Sequence, residues 1–170
     1  MNSLEAIRNK RAVRQFQDRP LPDEVIYHIL NAGRRAQSSK NTQPWHFIAI
    51  KNSQTLSQLS TLGAYAGHLA GAAMAVGVVT PPPETRFSVM FDAGQAAAYM
   101  QLAALDVGVG SCLATIYQPD AARQLLGFPG DLTLLIAISF GYPLESAMLN
   151  TPPRKGGRRS FEDTVHWEKW

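Results

Sequence analysis

The sequence predicts an α+β fold in which one sheet packs around a long helix, and three features carry that reading. Strand-like and helix-like segments are interleaved without the strict alternation of a doubly wound parallel sheet. The stretch from Glu84 to Val107 is rich in alanine, methionine and leucine and contains no proline, which suits a long central helix ending at Gly108. The runs Ala73–Thr80 and Leu132–Phe140 are short, apolar and rich in β-branched or leucine side chains, as buried strands are. With 170 residues, 45% of them hydrophobic, the chain fits a single domain over residues 1–170, with an extended tail over 152–170.

Taken in order, Ser3 is the expected N-cap of a short helix over Leu4–Asn9, and Arg11–Phe16 is a connecting segment ended by Arg19-Pro20. Pro22-Asp23-Glu24 reads as a first helical turn, proline early and acids at the positive end of the dipole. Val25, Ile26, Ile29, Leu30, Gly33 and Ala36 then keep the helical period. Gln37–Thr42 is wholly polar and predicts a loop before Pro44-Trp45. A strand over His46–Ile50 and a short amphipathic helix over Ser53–Leu62 follow. Ala73–Thr80 is stopped by Pro81-Pro82-Pro83. After the long helix come a strand over Ser111–Ile116, a helix over Pro119–Leu126 with its proline near the start, and the strand Leu132–Phe140. Trp167 and Trp170 lie in a polar tail and need somewhere to be buried, for which a second subunit would serve.

Composition excludes several classes. A lone cysteine, Cys112, rules out an internal disulfide framework and a cysteine-rich zinc site. The first residues hold no apolar run suited to a signal peptide, and no stretch reaches the ~20 apolar residues of a membrane span, so a cytoplasmic protein without a membrane partner is expected. His28, His46, His68 and His166 are scattered without metal-ligand spacing, so no metal site is expected. Gly108-Val109-Gly110 lacks the third glycine of a dinucleotide fingerprint. The net charge of +3 is too small to argue for nucleic acid, and no aromatic stacking platform accompanies it.

The placement of the charge is more telling than its size. Arg8, Lys10, Arg11, Arg14 and Arg19 crowd the N-terminus, and Arg154, Lys155, Arg158 and Arg159 crowd the C-terminus. Brought together, two such clusters would grip one anionic group, because guanidinium forks match phosphate oxygens. The loop Ser38-Ser39-Lys40-Asn41-Thr42-Gln43 adds hydroxyls and amides suited to the polar edge of a flavin nucleotide.

Several segments, in order, resemble the FMN-dependent nitroreductase family over nearly the whole chain. They are Lys10-Arg11-Ala12-Val13-Arg14-Gln15-Phe16, Leu21-Pro22-Asp23-Glu24-Val25, Ala32-Gly33-Arg34-Arg35-Ala36 and Asn41-Thr42-Gln43-Pro44-Trp45-His46-Phe47. Asp92-Ala93-Gly94, Gly108-Val109-Gly110-Ser111-Cys112, Leu125-Leu126-Gly127-Phe128-Pro129, Gly141-Tyr142-Pro143 and Val165-His166-Trp167 complete the likeness. The Asn-x-Gln-Pro-Trp element is its most specific part.

The resemblance implies a mostly antiparallel sheet, a homodimer with FMN at the subunit interface, and tails that embrace the partner. It implies that Lys10, Arg11 and Arg158 meet the phosphate and that Arg14 lies beside the pyrimidine side of the ring. Ser38, Ser39 and Asn41 would come from the neighbouring subunit, Gln43 would be a further cofactor-binding residue, and Ala12 stands at the position of the opening motif's serine. Thr115 and Ile116 would turn backbone N–H groups toward the flavin. NAD(P)H and a small-molecule electron acceptor would then react in turn, in a ping-pong cycle, with nitroaromatics or quinones as acceptors. Enone reduction, dehalogenation and flavin fragmentation on the same scaffold, or a flavin carrier without turnover, are the alternatives. The chain departs from the family pattern at Ala12 for serine, at Gln37 for proline, at Ala98-Tyr99 for a glutamine–asparagine pair, and at Gly156 for lysine. Lys155 could replace the lost tail charge.

Overall fold

The structure, a computed structural model, describes residues 2–151 and 157–170. Arg154, Lys155 and Gly156, to which the sequence gives part of the C-terminal charge, lie outside the described residues. Four strands form one sheet in the order β1-β2-β4-β3, with β1 at His46–Ile50, β2 at Met74–Thr80, β3 at Gly110–Thr115 and β4 at Thr133–Gly141. All three ladders are antiparallel.

Helices cover both faces. On one side α2 (Asp23–Arg34) and α4 (Val89–Asp106) pack Ile29, Ala96, Ala97 and Met100 onto Met74, Val76, Val78, Ile138 and Phe140. On the other, α3 (Ser53–Ser60) and α5 (Pro119–Leu126) bring Leu56, Leu59 and Ala122 to Ala75, Ala114 and Ala137. Being covered twice, β2 is buried at every position, which explains its continuous apolar run where a half-exposed strand would alternate. The register shifts between Val78 and Val79, so Leu135 is an extra residue on β4 and the side chains beyond it change face.

Several strand and helix ends shift by a residue or two from the sequence reading, and three of the boundaries that differ have a visible cause. The cap of α1 (Ser3–Asn9) is Asn2, not Ser3: its side chain accepts from the Glu5 N–H while Glu5 accepts from the Asn2 N–H, a reciprocal capping box. Pro22 is the N-cap of α2, one residue outside the first turn. The long helix begins at Val89 instead of near Glu84, because Thr85 and Arg86 turn back onto the carbonyls of Pro82 and Pro83. It ends, as expected, at Gly108, whose φ of +74° is the left-handed conformation glycine tolerates.

The segment Arg11–Phe16 is more than a connection. Ala12 bridges Ser111 on the outer edge of β3, and Phe16 bridges Pro143 beyond β4. Val13 N–H donates to the Ser111 carbonyl at 3.0 Å, and Leu144 N–H to the Gln15 carbonyl at 3.0 Å. Gly110 and Gly141 face each other across the ladder and form the seat for this segment. A Cβ on Gly110 would lie 2.7 Å from Val13 Cβ, and one on Gly141 would lie 2.9 Å from the Phe16 ring. The arginine-bearing strip is thus laid flat on the sheet's end by two missing side chains.

Candidate functional site

Two neighbouring recesses share Arg11. The first, about 500 Å³, is lined by Arg11, Ala12, Val13, Arg14, Gln15, Met148 and Thr151. The second, about 570 Å³, is lined by Ile7, Arg8, Arg11, Gly157 and Arg158. The two ends of the chain therefore do converge: Arg158 from the tail stands with Arg8 and Arg11 from the start. Arg8 belongs to the N-terminal cluster that the sequence pointed to, whereas Met148 and Thr151 are lining residues that sequence reasoning did not single out.

The chemistry of this cluster favours an anion. One Arg11 terminal nitrogen donates to the Arg8 carbonyl at 2.6 Å and to the Lys10 carbonyl at 3.0 Å, capping the end of α1. Its Nε is buried with no hydrogen-bond partner, a costly state for a charged donor. Burial, and then the nearby Arg14 charge, pull the Lys10 ammonium below its usual pKa, while Cys112 works in the opposite direction. An anion in these recesses would offset the mutual repulsion of the cations.

The β3 edge supplies backbone donors, with one correction. Ile116 N–H donates to the Leu135 carbonyl at 2.9 Å, inside the sheet, and so is not free to meet a ligand. Antiparallel parity follows from this bond: the N–H groups of Cys112 and Ala114 also face β4, whereas those of Leu113 and Thr115 face the outer edge. Of the expected pair, Thr115 is the one placed to offer its N–H outward.

The polar loop does not line the Arg11–Arg14 recess of its own chain. Gln43 instead lines a separate recess with Trp45, His46, Phe47, Tyr27 and Arg34. Lys40, Asn41 and Gln43 have φ of 53°, 53° and 47°, a conformation that costs non-glycine residues about 1–2 kcal/mol each. Ser38 Oγ accepts from Gln43 N–H at 2.9 Å, and Asn41 Oδ1 from Gln43 Nε2 at 3.3 Å. The hydroxyl protons of Ser38 and Ser39 and the Asn41 amide N–H₂ remain for an outside partner.

Other titratable groups flank the cluster. His68 Nδ1 lies 2.8 Å from Ser139 Oγ, which also donates to the Cys112 carbonyl at 3.3 Å. Burial, then Arg14, hold His68 below its ordinary pKa. Burial pushes the Cys112 thiol up, against the pull of Arg14 and Lys10, so it is an inert thiol at neutral pH. Among the described residues no group of three or more His, Cys, Asp or Glu could hold a metal ion, and no helix is long and apolar enough to cross a membrane.

Comparison with known proteins agrees with this architecture. The nitroreductase family profile matches residues 7–77 and 60–142, which together exceed half the chain. The chain belongs to the nitroreductase family. It is 30% identical over 174 residues, 98% of both chains, to an Archaeoglobus fulgidus protein provisionally named an NADH dehydrogenase/NAD(P)H nitroreductase. A Parabacteroides distasonis structure of the same provisional name superposes with a TM-score of 0.86 at 25% identity, covering 100% of both chains. An FMN-dependent nitroreductase from Clostridium difficile superposes with a TM-score of 0.82 at 25% identity, covering 98% of this chain and 99% of that one. The fold is the nitroreductase fold, and the family is one of oxidoreductases.

Proposed function

We propose that this nitroreductase-family chain binds FMN between two copies of itself and uses NAD(P)H to reduce nitroaromatics, quinones or similar small acceptors. The observation that carries the reading is the shared arginine cluster: Arg11 and Arg158, from opposite ends of the chain, line one recess, and the Arg11 Nε has no hydrogen-bond partner among the described residues. Lys10, Arg11 and Arg158 hold the phosphate by charge-assisted hydrogen bonds. Arg14, in the adjoining recess, places a fixed positive charge beside the ring, where it stabilises negative charge as it develops. Ala12, lacking the family's usual hydroxyl, leaves the phosphate and ring contacts to its cationic neighbours. Thr115 offers a backbone donor on the outer side of β3, beyond the part of that edge that Ala12 and Val13 occupy. When bound, the flavin supplies the electron transfer that these side chains cannot perform, and no nucleophile or metal is needed.

The second subunit is part of the proposal. Ser38, Ser39, Asn41 and Gln43 reach the flavin from the partner, since their own chain's cleft does not include them. Exposed apolar side chains are available for that contact: Phe87 and Phe91, edge to face at 5.3 Å, stand exposed at the start of α4 with Met90, and Leu4 and Ile7 are exposed on α1. Trp167 and Trp170 are also exposed in the single chain, at 80% and 100%, and the dimer would bury them.

Oxidation of NADH and NADPH by the FMN-loaded protein, followed with nitroaromatic, quinone and enone acceptors in turn, tests the activity. Acceptor-dependent turnover with parallel-line kinetics is expected. Tight flavin binding without turnover on any acceptor would leave a flavin carrier instead.

A further inference from the structure

The polar loop is held in its strained shape by a charged clamp on the central helix. Asp92 is the acidic residue of the first turn of α4 and is 2% exposed, on a helix whose buried side is otherwise mostly alanine, methionine and leucine. Its Oδ1 accepts from the Ser39 N–H at 3.0 Å. Arg86, in the turn before the helix, donates from Nη2 to the Ser39 carbonyl at 3.0 Å and from Nε to Ser88 Oγ at 3.0 Å. The same Nη2 lies 3.8 Å from Asp92 Oδ2, an ion pair too long to be a hydrogen bond, so Oδ2 remains buried and unpartnered. Both backbone groups of Ser39, donor and acceptor, are therefore gripped by a carboxylate and a guanidinium that belong to a distant part of the chain.

We propose that Asp92 and Arg86 are positioning residues for flavin binding, fixing Ser39 so that Ser38, Ser39 and Asn41 are presented in their left-handed turn to the cofactor across the subunit interface. The inference rests on the flavin reading above and deepens it. Burying a carboxylate is expensive, and so is a loop with three non-glycine residues at positive φ. Arg86 adjoins Phe87, and Asp92 adjoins Phe91, the exposed aromatic pair of the subunit face.

The test compares FMN dissociation constants, thermal midpoints and sedimentation of the wild type, Asp92→Asn, Asp92→Ala, Arg86→Ala and the double alanine variant. Leu59→Ala, in the core cluster on the opposite face of the sheet, is the control for destabilisation alone. Asp92→Asn keeps an oxygen for the Ser39 N–H and is expected to bind FMN within about threefold of wild type. Asp92→Ala is expected to lose about tenfold or more, the scale of one charge-assisted hydrogen bond. The double variant should lose little beyond that, because both side chains act through Ser39. Amide exchange of residues 38–43 should quicken in Asp92→Ala and not in Leu59→Ala. If dimeric Asp92→Ala binds FMN like the wild type, or Leu59→Ala loses as much affinity, the clamp is overturned and the flavin reading stands. If the wild type takes up no FMN, both fall together.

Discussion

Replacing Gly110 with alanine isolates the link between sheet and site. The added methyl would sit 2.7 Å from Val13 Cβ, with both Val13 γ carbons within 3.0 Å, and none of these belongs to a long flexible side chain. Val13 is buried and has to move, which also stretches its 3.0 Å hydrogen bond to Ser111. Overpacking of this kind costs about 1–3 kcal/mol and a weakened backbone bond about 0.5–1.5, so a loss near 2–4 kcal/mol is expected. In a domain of this size that is a fall of roughly 5–12 °C in thermal midpoint. Because Val13 lies between Arg11 and Arg14, flavin affinity should fall as well, by about tenfold. Gly130→Ala serves as the reference, since a Cβ there meets nothing within 4 Å. Calorimetry and flavin titration on both variants decide the matter. A Gly110→Ala protein as stable and as tight-binding as Gly130→Ala would refute the idea that the paired glycines seat the arginine strip.

Three further outcomes follow from the site. Arg158→Ala should weaken FMN binding by about 1.5–3 kcal/mol, or roughly 10- to 150-fold, read by fluorescence titration; unaltered retention would place the tail elsewhere. Arg14→Ala should make the bound flavin harder to reduce, shifting its midpoint potential by about 20–60 mV to more negative values for a loss of ~1–3 kcal/mol; an unchanged potential would remove that role. His68 is held below its ordinary value of 6.5 by burial and then by Arg14, so on acidification the unfolded chain takes up a proton there before the folded one does. Stability is then fully present above about pH 6.5 and is lost as pH falls through the lowered folded value. Urea unfolding between neutral and mildly acid pH should show that slope, and His68→Gln should flatten it; an identical slope in the variant would assign the loss to other groups.

Much of the fold was legible because its signals are local. The fully buried β2 announced itself by an unbroken apolar run, and α4 by its alanine, leucine and methionine up to Gly108. The start of α4 was not legible. Glu84 to Ser88 has ordinary helical composition, but Arg86 is committed to Ser39, 47 residues away, and local propensity contains no record of that. Asn2 and Ser3 are both good caps; the Glu5 spacing that selects Asn2 was present in the sequence and passed over. The Ile116 donor failed for a different reason. Which way an N–H points on β3 depends on its register with β4, and one residue of register reverses every donor. In the site, the cationic clusters at both ends were visible in composition, yet their meeting at Arg11 needed the fold. An acid in the first turn of a long alanine-rich helix, Asp92, was the one available hint of the loop's anchor.

The most direct test is a titration of flavin-free protein with FMN, followed by fluorescence and by sedimentation of the same samples. Tight uptake to one flavin per chain in a dimeric species, weakened when Arg11 is changed to alanine, is the expected result. A monomer that leaves excess FMN free in solution would contradict the proposal that the two ends of this chain hold a flavin at a subunit interface.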